Sequence, residues 1–119
     1  MTDPTTIVHT YIEMWNETDP QRRRSLVSEV VTDDASYLDP IMSGNGPDEI
    51  SEMIAGAQAQ FPGHTFALVG GPDAHHDRVR FTWSLAPGAA EPIAIGTDFA
   101  TTAGDGRMRE ITGFLEPAA

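Results

Sequence analysis

The chain has 119 residues, no cysteine, no lysine, seven arginines and eighteen acidic side chains, for a formal net charge of −11. That balance argues against nucleic acid, whose affinity comes largely from basic side chains on phosphates, and against anionic membranes. It also removes disulfides, thiol nucleophiles, thiolate metal sites and lysine Schiff bases from consideration. Hydrophobic residues at 39% and nine aromatics suffice for a core, so residues 1–119 are read as a single domain. No apolar run approaches the roughly 20 residues of a membrane span, and Met1-Thr-Asp-Pro4 lacks the regions of a signal peptide. A soluble, cytoplasmic domain is the expectation.

Thr2-Asp3-Pro4 offers a helix cap followed by proline at the first helical position. Ile7, Val8, Tyr11, Ile12, Met14 and Trp15 then recur at helical spacing. Asp19-Pro20 repeats the signal for a second helix with Leu26, Val27, Val30 and Val31 as its apolar stripe. Its arginines, Arg22 to Arg24, read as a solvated face. Ala35 to Asp39 alternates as a short strand ended by Pro40, predicted to join an edge of the sheet. Gly44-Asn45-Gly46-Pro47 is a turn into a third helix, whose stripe is Ile50, Met53, Ile54, Ala57 and Phe61 and which Pro62-Gly63 stops.

Strands follow. Thr65 to Val69 is one, and the connection after it continues toward a turn near His76-Asp77. Arg78 to Ala86 alternates Val79, Phe81, Trp83 and Leu85 with polar partners. Glu91 to Thr102 and Arg107 to Leu115 flank Gly104-Asp105-Gly106, a hairpin signal. Three helices and then a meander make an α+β domain with helices in the concave face of a curved sheet. The result is a cone whose interior only partly fills.

Few residues could carry chemistry. Asp39 continues the face of Ala35 and Tyr37, and Pro40 holds it extended. If that face looks inward, Asp39 is a carboxylate entering an apolar cavity and a usable base; otherwise it caps an Asx-turn. Tyr11 and Trp15 share a helix face that is either plain core or a wall with a phenol donor. Asp98 stands in the apolar run Ile93 to Phe99. It lines the pocket, or it faces outward and pairs with Arg80, Arg107 or Arg109, the ion pair being the favoured reading. Alternation places Thr97 and Phe99 on the face opposite Asp98. His75-His76 reads as a polar hairpin tip, with one ring able to turn toward the pocket mouth. No metal-ligand spacing, nucleophile elbow or dinucleotide turn is present, so no cofactor and no metal are expected.

Tyr11-Ile-Glu-Met-Trp15, Asp33-Asp-Ala-Ser-Tyr-Leu-Asp-Pro40, the glycine-proline turn into a helix, and Gly96-Thr-Asp-Phe99 with Ile111-Thr-Gly-Phe-Leu115 resemble the nuclear transport factor 2-like superfamily. Within it the chain is similar to ketosteroid isomerase-like and SnoaL-like (polyketide cyclase-like) proteins. The resemblance implies a cone-shaped, cystatin-like α+β barrel with a mixed or antiparallel sheet. It implies Asp39 as proton-shuttling base and Tyr11 as donor to the enolate oxygen. The family's second donor, an aspartate, aligns with Thr97, with Asp98 one place along. Trp15, Tyr37, Phe66 and Trp83 would shape the pocket, with Met53, His75, Thr97 and Phe99 as further substrate contacts. A hydrophobic ketone is the implied substrate and a homodimer through the outer sheet face the implied assembly. A non-catalytic binding or interaction domain is the alternative. An epoxide hydrolase-like enzyme, with Asp39 activating water beside a second carboxylate, is a third.

Overall fold

The chain forms three helices and six strands in a computed structural model that describes residues 2–117. Helix α1 (Pro4–Asn16) starts where Asp3 accepts the Thr6 N–H at 2.9 Å, and α2 (Pro20–Val30) where Asp19 accepts that of Arg22 at 2.8 Å. Both follow the cap-and-proline signal. Strand β1 (Val31–Leu38) leaves α2 without a loop. It is followed by β2 (Ser43–Asn45), α3 (Gly46–Gln60), β3 (His64–His75), β4 (Arg78–Pro87), β5 (Ala94–Thr102) and β6 (Met108–Pro117).

The strands form one open sheet in the order β2-β1-β6-β5-β4-β3, with β1 parallel to β6 and every other pair antiparallel. Two expectations are corrected here. The first strand begins at Val31, four residues before Ala35, and it is not an edge. Residues 43–45, read from their glycine and asparagine as part of a turn, pair with β1 (Tyr37 with Gly44) and cover its free side. A three-residue strand is too short to show a period. Strand β3 does run on to His75, as anticipated, with register shifts on either side of Gly70.

The helices pack on the concave face. Ile7, Val8, Tyr11, Leu26, Val27, Ile50 and Ile54 meet Val79, Phe81, Leu85, Ala100, Met108 and Ile111, all buried. Burying a side chain of the Leu or Phe class contributes roughly 1.5–3 kcal/mol, so this layer fixes which face of each strand looks inward. On β5 that face carries Gly96, Asp98 and Ala100. Packing of the neighbours thereby forces a carboxylate into the interior.

Candidate active site

The inner wall of the cone encloses a pocket of about 80 Å³, whose lining includes Tyr11, Trp15, Tyr37, Asp39, Phe66 and Trp83. These six side chains come from α1, from β1 and the turn after it, and from β3 and β4. Tyr11 and Trp15 lie one turn apart on α1; Tyr37 is the last residue but one of β1 and Asp39 follows that strand; Phe66 and Trp83 come from paired strands. Trp15 packs against both Tyr37 and Phe66, with ring centroids 5.7 and 5.2 Å apart. Ile41, Met42, Phe61, Leu85, Ala94 and Leu115 complete much of the wall. Sequence reasoning missed these as site residues, because an apolar side chain on a core stripe or a loop carries no mark of facing a void.

Asp39 combines both of its sequence readings. Its Oδ1 accepts the backbone N–H groups of Ile41 and Met42 at 2.8 and 2.9 Å, an Asx-turn that Pro40 sets up. Its Oδ2 accepts the Tyr37 hydroxyl at 2.6 Å, and the carboxylate still lines the pocket. Three hydrogen bonds fix its direction.

Asp98 is 1% exposed and faces inward, which overturns the outward ion pair. The arginines offered for it pair elsewhere: Arg80 with Asp73, Arg107 with Asp105 and Arg109 with Asp34. Its Oδ2 accepts the Tyr11 hydroxyl at 2.5 Å, and its Oδ1 has no hydrogen-bond partner among the described residues. Burial pushes its pKa up to about 6; the charge of Asp39 adds to this, while the polar groups of Tyr11 and Trp83 work the other way. Burial likewise raises the Tyr11 and Tyr37 phenols well above their ordinary range, with the Asp98 charge as the next cause for each. Both therefore stay protonated and act as donors.

Two glycines make the convergence possible. A Cβ on Gly113 would lie 2.8 Å from Asp98 Oδ1, 3.1 Å from Asp39 Cβ and 3.4 Å from the Tyr37 hydroxyl. A Cβ on Gly96 would fall 2.0 Å from the Trp83 ring. The available signal was an isolated glycine inside each strand pattern, which marks a close approach.

Four predicted contacts lie elsewhere. Thr97 faces the outer side of the sheet, its hydroxyl 3.2 Å from that of Thr82, and Phe99 is exposed on the same side. Alternation requires this once Asp98 points inward. His75 sits at the far end of the β3–β4 hairpin beside His76, in a shallow outer depression with Asp73, Arg78 and Phe99. Met53 packs against the core from α3 without lining the pocket. Arg23 departs from the solvated face of its neighbours: it is buried and donates to the Glu17 carbonyl at 3.1 Å and to Gln58 at 3.2 Å. No group of three or more His, Cys, Asp or Glu side chains placed to hold a metal occurs among the described residues.

Comparison with solved structures decides the relationship. A protein of the SnoaL-like family from Agrobacterium tumefaciens, provisionally named an isomerase, is 40% identical over 98% of this chain and 99% of that one, with a TM-score of 0.91. The chain belongs to the SnoaL-like family. The same fold appears at 17% identity in a Jannaschia protein provisionally named a SnoaL-like polyketide cyclase, with a TM-score of 0.69 over 98% of this chain and 90% of that one. It appears again in a nuclear transport factor 2-like protein of unknown function from Exiguobacterium, with 17% identity and a TM-score of 0.72 over 94% of this chain and 99% of that one. No family profile and no curated protein matches the chain. No described helix of this SnoaL-like protein is long and apolar enough to cross a membrane.

Proposed function

We propose that this SnoaL-like protein is an isomerase- or cyclase-like enzyme that moves a proton next to the carbonyl of an apolar substrate, using its own side chains. The observation that carries this reading is the buried Tyr11–Asp98 pair at 2.5 Å, in the wall of an apolar pocket that Asp39 also lines. Asp39 takes the proton from the carbon beside the carbonyl. The C–H electron pair becomes the new C=C bond, and the carbonyl π pair moves onto oxygen. Tyr11 donates to that oxygen as its charge grows, and Asp39 then returns the proton to the same or a conjugated carbon.

Asp98 acts through Tyr11. When Asp98 carries a proton it donates to the Tyr11 oxygen, which frees the phenol O–H for the ligand. When it is charged it accepts that O–H instead, across the same 2.5 Å separation. The inward Asp98 thus supplies the second aspartate that alignment had placed on Thr97.

The test is exchange of the α-protons of 2-tetralone in D2O, followed by NMR. Wild type should accelerate it, and Asp39→Asn should lose about 10²–10⁴ of that acceleration, the usual range for a general base. No acceleration by wild type, or equal rates in the variant, overturns the proton-transfer reading.

One observation favours a ligand-binding domain as the second reading: all three hydrogen bonds to Asp39 are made within the protein, two of them by backbone. Equal rates in the variant would move it ahead. The hydrolase reading asks for two carboxylates on one water, and Asp98 stands behind Tyr11, outside the pocket lining. The proposal includes a homodimer through the outer sheet face, where Phe114 is 63% and Phe99 39% exposed. Light scattering should give about twice 12.8 kDa, and the single-chain mass would refute the pairing.

A further inference from the structure

Trp15 carries a polar atom that no group of the described residues uses. The side chain is 6% exposed, and its indole N–H has no hydrogen-bond partner. A buried indole N–H ordinarily finds an acceptor, because leaving one unpaired costs about 1–3 kcal/mol. Nor is the ring free to turn out to water. It is wedged among Tyr11, Tyr37 and Phe66, with centroids 6.3, 5.7 and 5.2 Å away. Its own backbone is held as well, since the Trp15 carbonyl accepts from the Gln58 side chain at 3.0 Å.

Tyr11 stands one helical turn away, its ring centroid 6.3 Å from that of Trp15, and the indole N–H meets no acceptor among the described residues. Trp15 and Tyr11 both line the pocket, and both are closed to bulk water, so an acceptor reaches them from the pocket.

We propose that the Trp15 indole N–H is a second hydrogen-bond donor to the ligand oxygen, beside Tyr11, so that the site selects molecules presenting a carbonyl or enolate oxygen over apolar molecules of the same shape. The inference rests on the pocket reading above and deepens it. A tryptophan that looks like core on a helix stripe becomes a residue that sets specificity. Removing it should weaken recognition of oxygen while leaving recognition of shape in place.

Two probes of matched shape separate these effects: 2-acetylnaphthalene, and 2-isopropenylnaphthalene, in which a methylene replaces the carbonyl oxygen. Wild type should bind the ketone about five- to tenfold more tightly than the alkene in equilibrium dialysis, the range expected of one or two neutral hydrogen bonds. Trp15→Phe should weaken the ketone roughly fivefold more than it weakens the alkene. Benzothienylalanine placed at position 15 keeps the ring shape without the N–H and should behave the same way, which guards against a packing defect in the phenylalanine variant. Equal weakening of both probes in both variants overturns the proposal and makes Trp15 a packing residue. Survival of the full ketone preference in both variants overturns it too, and assigns the preference to Tyr11. A wild type that prefers neither probe, or binds neither, also overturns it. The deuterium exchange assay with Asp39→Asn reads proton transfer separately, so failure of the donor inference and failure of the catalytic reading remain distinguishable.

Discussion

Asp39 and Asp98 converge on Gly113, each accepting a tyrosine hydroxyl, and are held in opposite ways. Asp39 follows the end of β1, is half-buried, and accepts three hydrogen bonds, two of them from backbone amides of its own turn. Asp98 sits in the middle of β5, is 1% exposed, and accepts one hydrogen bond, from a tyrosine. The first arrangement fixes direction: the turn and the Tyr37 hydroxyl together orient the carboxylate at the pocket wall. The second makes the proton negotiable near neutral pH, since burial raises the pKa of Asp98 to about 6. In the proposed step, environment alone would make one side chain type a positioned base in one region and a titrating partner for a phenol in the other.

Loss of Asp39 is expected to have the largest effect, because it removes the group proposed to take the proton. Breaking the comparison at Asp98 should give a smaller loss with a pH signature. Its pKa is raised, so the protonated form, which frees the Tyr11 O–H, prevails below about pH 6. Wild-type exchange should therefore fall as pH rises through 6, by up to about tenfold per unit where the charged form is inactive. Asp98→Asn keeps an N–H donor toward Tyr11 and cannot ionise, so its rate should stay level between about pH 5 and 8. At pH 5 the amide, a weaker donor, should run about tenfold below wild type. If the variant shows the same fall as wild type, the titrating group lies elsewhere and Asp98 has no part in the step.

Much of the frame could be read from the chain, for physical reasons that also explain the misses. Caps at Asp3 and Asp19, each followed by proline, announce helices locally, and both helices begin there. Alternation from Val79 to Leu85 announces a strand and its buried face. Asp39 and Tyr11 were legible because strand and helix periods place each beside aromatic residues that had to be inside. Asp98 was assigned the wrong surroundings. Its own strand offers weak contrast, with Gly96 and Ala100 on one face and Thr97 and Phe99 on the other. The preference for burying Phe99 argued for the wrong side. What decides the matter is register with the neighbours: Asp98 stands opposite Phe81 on β4 and Gly113 on β6, both on the inner face. Pairing of that kind is set by the whole sheet and by the absence of a side chain at Gly113. No local window contains it.

The effects on stability should carry opposite signs in the two regions. Asp39→Ala strands two backbone N–H groups and the Tyr37 hydroxyl, and should lower the melting temperature by several degrees, at roughly 4–8 °C per kcal/mol for a small domain. Asp98→Asn should raise it at pH 7.5, because the amide keeps a hydrogen bond with Tyr11 without a buried charge. The sign with pH follows from linkage. The folded pKa is about 6 and the ordinary unfolded value about 3.9, so between them the native state binds more protons and wild type loses stability as pH rises. The variant has no such group. Its advantage should be full above about pH 6, on the order of 2–3 kcal/mol, shrink between pH 6 and 4, and vanish below pH 4. Taking the difference between two proteins at each pH cancels the repulsion among the other acidic groups, which both share. A melting temperature that drops in Asp98→Asn at pH 7.5 would make Asp98 a structural acceptor like Asp39, and the division of roles between the two carboxylates would be gone.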